Sequence, residues 1–406
     1  MSRPCRLLLA LVLAGSASLE AVGPARAQPV EVSPLAAPDA FTTPGRDTGL
    51  PATLWRSSSV RTARTVLALL ATKTLSPAGA ALARRVLATG APGPQGAGSD
   101  PALAGARATA LLAQGDAKAA AAILARAPGV DRAPELAQAA AETALLAGDD
   151  ARACAVAEGL SAGRDEIYWL RLRAYCQAIA GQKAEAQLTL ELAQSQARDP
   201  VFGRLMAAKL AGAGSPGAAS LRNGLDYALS RSLGLDLGQA KASPAVAAAL
   251  AAGDPADLTF DAGAASPDAA ILVDPLMKGE PVRDAVLQAL QETAGSAEPK
   301  ARARAAAALA LGLALAGPLN PETRAQLAAV SMPEGRAPLG RDLALDAAAG
   351  EKLMGEAALL SLWTCAEAGA AGPSLADRVR IVAALHAVGL EADARNFALE
   401  GLLALK

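Results

Sequence analysis

Histidine occurs once in 406 residues, and aromatic side chains make up only 2% of the chain. A single His386 leaves no room for a multi-histidine metal site or a histidine-dependent triad. Standing just before Gly389, it reads as a structural helix residue. No C-x-x-C pair, S-x-x-K motif or Walker phosphate loop is present. Lysine and arginine total 38 against 39 acidic residues, which gives a formal net charge of -1. That balance does not furnish the clustered cations of a nucleic-acid surface, and the aromatics are too few to stack bases or sugars. Scarce β-branched residues exclude a large sheet. The longest uncharged stretch of the later chain, Ala305 to Leu319, spans roughly 22 Å as a helix, short of the ~30 Å hydrocarbon core, and reads as a buried central helix.

What is abundant is alanine, the source of most of the 52% hydrophobic content. Alanine has the best helix propensity and lets helix backbones approach closely. The class is all-α. Arg3, Arg6, the apolar run Leu7 to Ala14 and the small-x-small site Ala25-Arg26-Ala27 form an export signal over residues 1–27. Cleavage there would leave a mature chain in an oxidising compartment, expected to be the bacterial periplasm, with no membrane-spanning segment. Residues 28–54 hold five prolines, from Pro29 to Pro51, and read as an extended, partly disordered leader. A helical pair and linker follow over 55–98, with a start signal at Ser76-Pro77.

The strongest pattern lies in 99–217. Gly115, Gly148 and Gly181 stand thirty-three residues apart. Ala108, Ala141 and Ala174 lie seven before them, and Ala120, Ala153 and Ala186 five after. A helix–turn–helix unit used in tandem produces such a register. Asp116, Asp149 and Asp150 sit where the second helix of a unit needs a cap or an early acidic residue. The run Gly181-Gln-Lys-Ala-Glu185-Ala186, with Ala193 beyond it, resembles the central turn and second helix of a tetratricopeptide repeat. The resemblance covers about a quarter of the chain and implies an α-solenoid, a right-handed superhelix of antiparallel helix pairs. The region 218–406 returns to helical pairs from about Pro281, and Gly389 with Ala394 repeats the earlier spacing near its end.

Within that register Cys154 falls in the second helix of one unit and Cys176 in the first helix of the next, so a Cys154–Cys176 disulfide is expected. Cys365 is left unpaired and buried. In tetratricopeptide arrays the first helices line a concave groove that receives peptides. The resemblance therefore places Gln138, Glu142, Tyr168, Arg171 and Tyr175 on a groove wall. Tyr168, Trp169 and Tyr175 either anchor a partner there or fill a repeat core otherwise short of large side chains. Gly212-Ala-Gly214-Ser-Pro-Gly217 matches G-x-G-x-x-G, yet it follows a helical segment rather than a strand and reads as an interhelical loop. No catalytic, metal or cofactor residue is assigned. A lone glutamate acting on cell wall would need a lysozyme-like domain or an aromatic glycan cleft. The expected function is a non-enzymatic periplasmic scaffold or adaptor for a protein or peptide. An accessory subunit of a peptidoglycan-processing or secretion complex is the alternative.

Overall fold

The computed structural model describes residues 39–212, 215–251, 258–295, 298–316, 320–329 and 334–405. The export signal at 1–27 therefore lies outside the described residues. Helices are the regular elements throughout, and the described residues form only two isolated bridges, Ser59 with Gln95 and Leu221 with Ala242. No described helix is long and apolar enough to cross a membrane.

The N-terminal pair is α1 (Val60–Leu70) and α2 (Pro77–Ala88), followed by α3 (Pro101–Ala113) and α4 (Ala117–Leu124), α5 (Pro134–Leu146) and α6 (Asp150–Gly159), and α7 (Ile167–Ile179) and α8 (Lys183–Gln196). The helices of α3–α4, α5–α6 and α7–α8 pack against each other as pairs, with α3, α5 and α7 opening the three units, whereas α1 packs on α3 and α17 and α2 on α3, α17 and α19. Each turn glycine adopts a left-handed conformation, with φ of 83° at Gly115, 79° at Gly148 and 78° at Gly181. The next residue donates its N–H back to the helix end: Asp116 to Leu111, Asp149 to Ala144 and Gln182 to Gln177, each at 2.9 Å. Such a Schellman closure needs φ > 0 at one residue, which glycine adopts without a Cβ penalty. Asp116 and Asp149 then cap α4 and α6 by accepting from Ala119 and Arg152. The six register alanines are all completely buried. At such fully buried positions a larger side chain would force the pairs apart.

Cys154 on α6 and Cys176 on α7 are disulfide-bonded, with Cα atoms 5.6 Å apart. The bond staples the second unit to the third. Cys365 is buried and free, and burial pushes its thiol up to about 12, so it packs as an apolar residue.

Of the proline-rich leader, residues 39–54 are described. Phe41 and Leu54 are buried there, and Phe41 stacks edge to face on Trp55 at 5.2 Å. The physical reason is Arg107, wholly buried on α3. It donates to Leu87 O at 2.8 Å, Thr89 O at 2.9 Å and Ala40 O at 3.1 Å, with its guanidinium 5.1 Å from the Phe41 ring. One side chain thus ties the incoming segment to the carbonyl-rich end of α2, where the helix dipole favours a cation. Burial lowers the guanidinium to about 9, which leaves it protonated at neutral pH.

The second half contains α9 (Pro200–Ala211), α10 (Gly224–Ser232), α11 (Pro244–Leu250), α12 (Pro267–Met277), α13 (Asp284–Ala294), α14 (Pro299–Leu315), α15 (Pro321–Ala329), α16 (Leu339–Gly350), α17 (Met354–Ala368), α18 (Leu375–Ala387) and α19 (Glu391–Leu403). After α9 packs on α7 and α8, the chain turns back: α10 lies on α5, and α11 on α3, α4 and α5. The remaining helices build around α14, which is buried by α12, α13, α18 and α19. The pair α18–α19 closes through Gly389 (φ 84°) and a Leu390-to-Leu385 bond, the same turn as in the three units. This half meets α1 and α2 through α17 and α19. The N-terminal pair is therefore enclosed between the repeat units and the C-terminal helices.

Two outcomes follow from these ties. Replacing Arg107 by Ala strands three carbonyls and opens a cavity, and should lower stability by about 3 kcal/mol, read from the urea midpoint at unchanged slope; a loss under about 1 kcal/mol would show that the clamp is redundant. Replacing both Cys154 and Cys176 by Ala should cost about 3 kcal/mol against the oxidised protein, with helical content retained.

Candidate binding cleft

The described helices enclose a cleft of about 360 Å³ between the first helices of the repeat units and the returning segment. Thr109 and Leu112 on α3, Gln138 and Glu142 on α5 and Tyr168 on α7 form one wall. Lys73 in the α1–α2 turn, Arg222 and Asn223 before α10, and Ser243 before α11 form the other. Gln138 and Glu142 share a wall because they are four apart on one helix face. Asn223 and Ser243 are there as caps: Asn223 accepts from Asp226 N–H and Ser243 from Val246 N–H.

Glu142 is the carboxylate at the base of this cleft. Its Oε1 accepts the Tyr168 hydroxyl at 2.9 Å, and its Oε2 accepts the Gly224 N–H at 2.6 Å, in the first turn of α10. Gly224 permits that approach, because a Cβ there would lie 2.8 Å from Oε2. Burial nevertheless pushes the Glu142 carboxyl above the usual carboxylate range, outweighing the two donors that favour the anion. Burial likewise pushes the Tyr168 hydroxyl up, with the Glu142 charge acting in the same direction. Beside this pair runs a chain of charges: Arg222 bonds Asp226 at 2.5 Å and Asp199 at 2.9 Å, and the Ser220 hydroxyl donates to Asp226 at 2.6 Å.

The five expected groove residues divide. Gln138, Glu142 and Tyr168 line the cleft together. Arg171 turns to the junction of α8 and α9 instead, donating to Ala197 O at 3.0 Å and pairing with Asp199 at 3.5 Å, its guanidinium 5.7 Å from the Phe202 ring. Tyr175 takes the core alternative: it is completely buried, and its hydroxyl meets Ala228 O under α10 at 3.5 Å. The physical reason is that α10 covers the part of the first-helix surface that Tyr175 faces. Trp169 is core as well, edge to face with Tyr168 at 5.0 Å. The register could have supplied Thr109, which holds in the first unit the position of Glu142 in the second and Tyr175 in the third. Lys73, Arg222, Asn223 and Ser243 carry no such signal, since only the fold-back brings them to the cleft. The G-x-G-x-x-G stretch lies partly outside the described residues. Its Gly212 ends α9 in a left-handed conformation. Among the described residues no group of three or more His, Cys, Asp or Glu is placed to hold a metal ion.

No family model matches the chain, and neither a curated protein nor a solved structure matches it.

The raised Glu142 carboxyl has a consequence for pH. At low pH the group is protonated whether the chain is folded or unfolded. As pH rises, the unfolded chain ionises first, so this residue withdraws stability across the window from the ordinary carboxylate value up to its raised folded value. Glu142→Gln keeps an acceptor for the Gly224 N–H and removes the titration. Urea unfolding between about pH 4 and pH 7 should show stability falling less steeply with pH in the variant than in the wild type; equal slopes would contradict the burial of the charge.

Proposed function

We propose that this chain is a non-enzymatic scaffold or adaptor that takes a protein or peptide partner in the cleft between its repeated first helices and α10–α11. The observation that carries this reading is the composition of the cleft. Hydroxyls and amides from four separate elements (Thr109, Gln138, Asn223 and Ser243) converge on it beside apolar Leu112 and Leu146. A surface of that kind hydrogen-bonds polypeptide backbone while burying apolar side chains. Glu142 is the one lining carboxylate, and both of its oxygens are already engaged. A general acid working with a second carboxylate would need a partner across the cleft that the lining does not supply. The Cys154–Cys176 bond fits work in an oxidising compartment, which for this reading is the periplasm.

A photo-crosslinking residue placed at Gln138, exposed on the cleft, tests the reading in the native host. A discrete polypeptide should be captured from Gln138 and not from Gln187, exposed on α8. Capture from Gln187 alone, or equally from both positions, would move partner binding away from the cleft.

A further inference from the structure

We propose that the outer face of α16 is a self-association surface, through which two copies of this chain pair their α16 helices antiparallel about a two-fold axis. The surface is separate from the cleft, and the proposal does not depend on what the cleft binds.

The inward side of α16 is fully committed to its own chain. Leu345 and Ala348 are buried, and so is Arg341, which donates to both carboxylate oxygens of Glu367 on α17 at 2.8 and 2.7 Å. The Arg341 guanidinium also lies 4.6 Å from the Trp363 ring. Asp342 and Asp346 both pair with Arg380 on α18. These ties hold the helix in place, so its outer side needs little ordering to meet a partner.

That outer side is almost bare of polar groups. The exposed residues of α16 are Leu339, Gly340, Leu343, Ala344, Asp346, Ala347 and Gly350, and Asp346 is the only charged one among them. Leu339 and Leu343, one turn apart, are 71% and 59% exposed. A helix face turned to water is ordinarily polar, and a contiguous apolar face marks a contact surface. Its relief is two-sided. At 3.6 residues per turn, Leu339, Leu343 and Gly350 form one row, and Gly340, Ala344 and Ala347 form the row beside it. Nothing lies within 4 Å of where a Cβ at Gly340 would stand, so the second row is an open furrow. A ridge of leucine next to a furrow of small residues fits the same surface turned end for end.

Charge selects a second copy as the occupant. A two-fold axis between Leu343 and Ala344 sets Leu343 of each copy against Ala344 of the other, and Gly340 against Ala347. The same axis sets Arg336 against Glu351, both of them exposed. Glu334 and Lys352 flank nearly the same midpoint, with the Lys352 ammonium held at the edge by Ala387 O at 2.6 Å. Parallel pairing would instead bring each charge against its like. The leucines alone would suit many apolar helices, whereas opposite charges spaced equally about the leucine–alanine midpoint suit this chain reversed. A face of 12 residues buries less than the ~800 Å² per partner of a standard interface, so the dimer is expected in the micromolar range.

Sedimentation velocity on the full oxidised chain, from micromolar to submillimolar concentration, tests the proposal. Wild type should show a reversible monomer–dimer equilibrium, and Leu343→Asp should weaken it at least about ten-fold. Arg336→Glu and Glu351→Arg should each weaken it several-fold, while the double variant, with the charges exchanged, should return to within about two-fold of wild type. The substituted side chains are exposed, and unchanged far-UV circular dichroism verifies each fold. Wild type that stays monomeric throughout would overturn the proposal and leave the face to a different partner. A dimer indifferent to Leu343→Asp would overturn it as well. If that variant does not fold, the charge series decides: a double variant no stronger than either single one would overturn the antiparallel pairing.

Discussion

Carboxylates reaching across the chain to helix N-termini hold this molecule closed. Glu356 on α17 accepts the N–H of Ser59 at 2.8 Å and the hydroxyl of Thr62 at 2.9 Å, at the start of α1. Glu400 on α19 accepts the N–H of Ala78 at 2.7 Å, at the start of α2, while Arg378 pairs with its other oxygen at 2.6 Å. Asp393 on α19 binds Arg85 on α2. Each capping contact satisfies a donor that a helix cannot satisfy internally, at a place where its dipole favours negative charge. The contributions are of order 1 kcal/mol each, but they share one pair of helices. Because α1 and α2 also carry α3 on their other side, the two halves of the protein are joined through this pair.

Closure of this kind covers the start of the row of helix pairs. An array of alanine-mated helix pairs adds units without limit unless its ends are covered. At the start of the array, α1 and α2 provide the cover and are themselves backed by α17 and α19. Arg107 completes that end by drawing residues 40 and 41 onto α2. The polar loop Thr72 to Thr74 that borders the cleft belongs to this same pair. The position of Lys73 at the cleft mouth is thus set by contacts made to the far end of the chain.

Local chemistry was legible in the sequence and long-range pairing was not. The three glycine turns, the burial of the register alanines, the caps at Asp116 and Asp149 and the Cys154–Cys176 pair all depend on residues within one or two units of each other. A fixed spacing therefore reports them. Phe41 looked like part of a loose leader because nothing nearby in sequence announces Arg107, whose guanidinium lies over its ring. Tyr175 stood between groove wall and repeat core because its position faces inward, and only the return of α10 decides whether inward means open or filled. Of the cleft, the α5 and α7 contributions were readable from register. The opposite wall arises from a fold-back whose pairing leaves no periodic trace. Thr109 lies between these cases, since the repeat places it beside Glu142 but its small side chain attracts no notice.

The disulfide and the Glu142 contact act on the same helices, which links the redox state of the two cysteines to the geometry of the cleft. Cys176 fixes α7 to α6, and α6 packs on α5, so the separation of Glu142 and Tyr168 is set by covalent as well as apolar contact. A hydrogen bond of 2.9 Å between those two side chains requires that separation to hold within a few tenths of an ångström. Both side chains border the cleft, and one of them also seats α10. Oxidation of the two cysteines is therefore a geometric condition on the site as well as a contribution to stability. A reducing compartment would loosen the wall of the cleft before it melted the fold, since the register alanines and Schellman turns that form each helix pair do not involve sulfur.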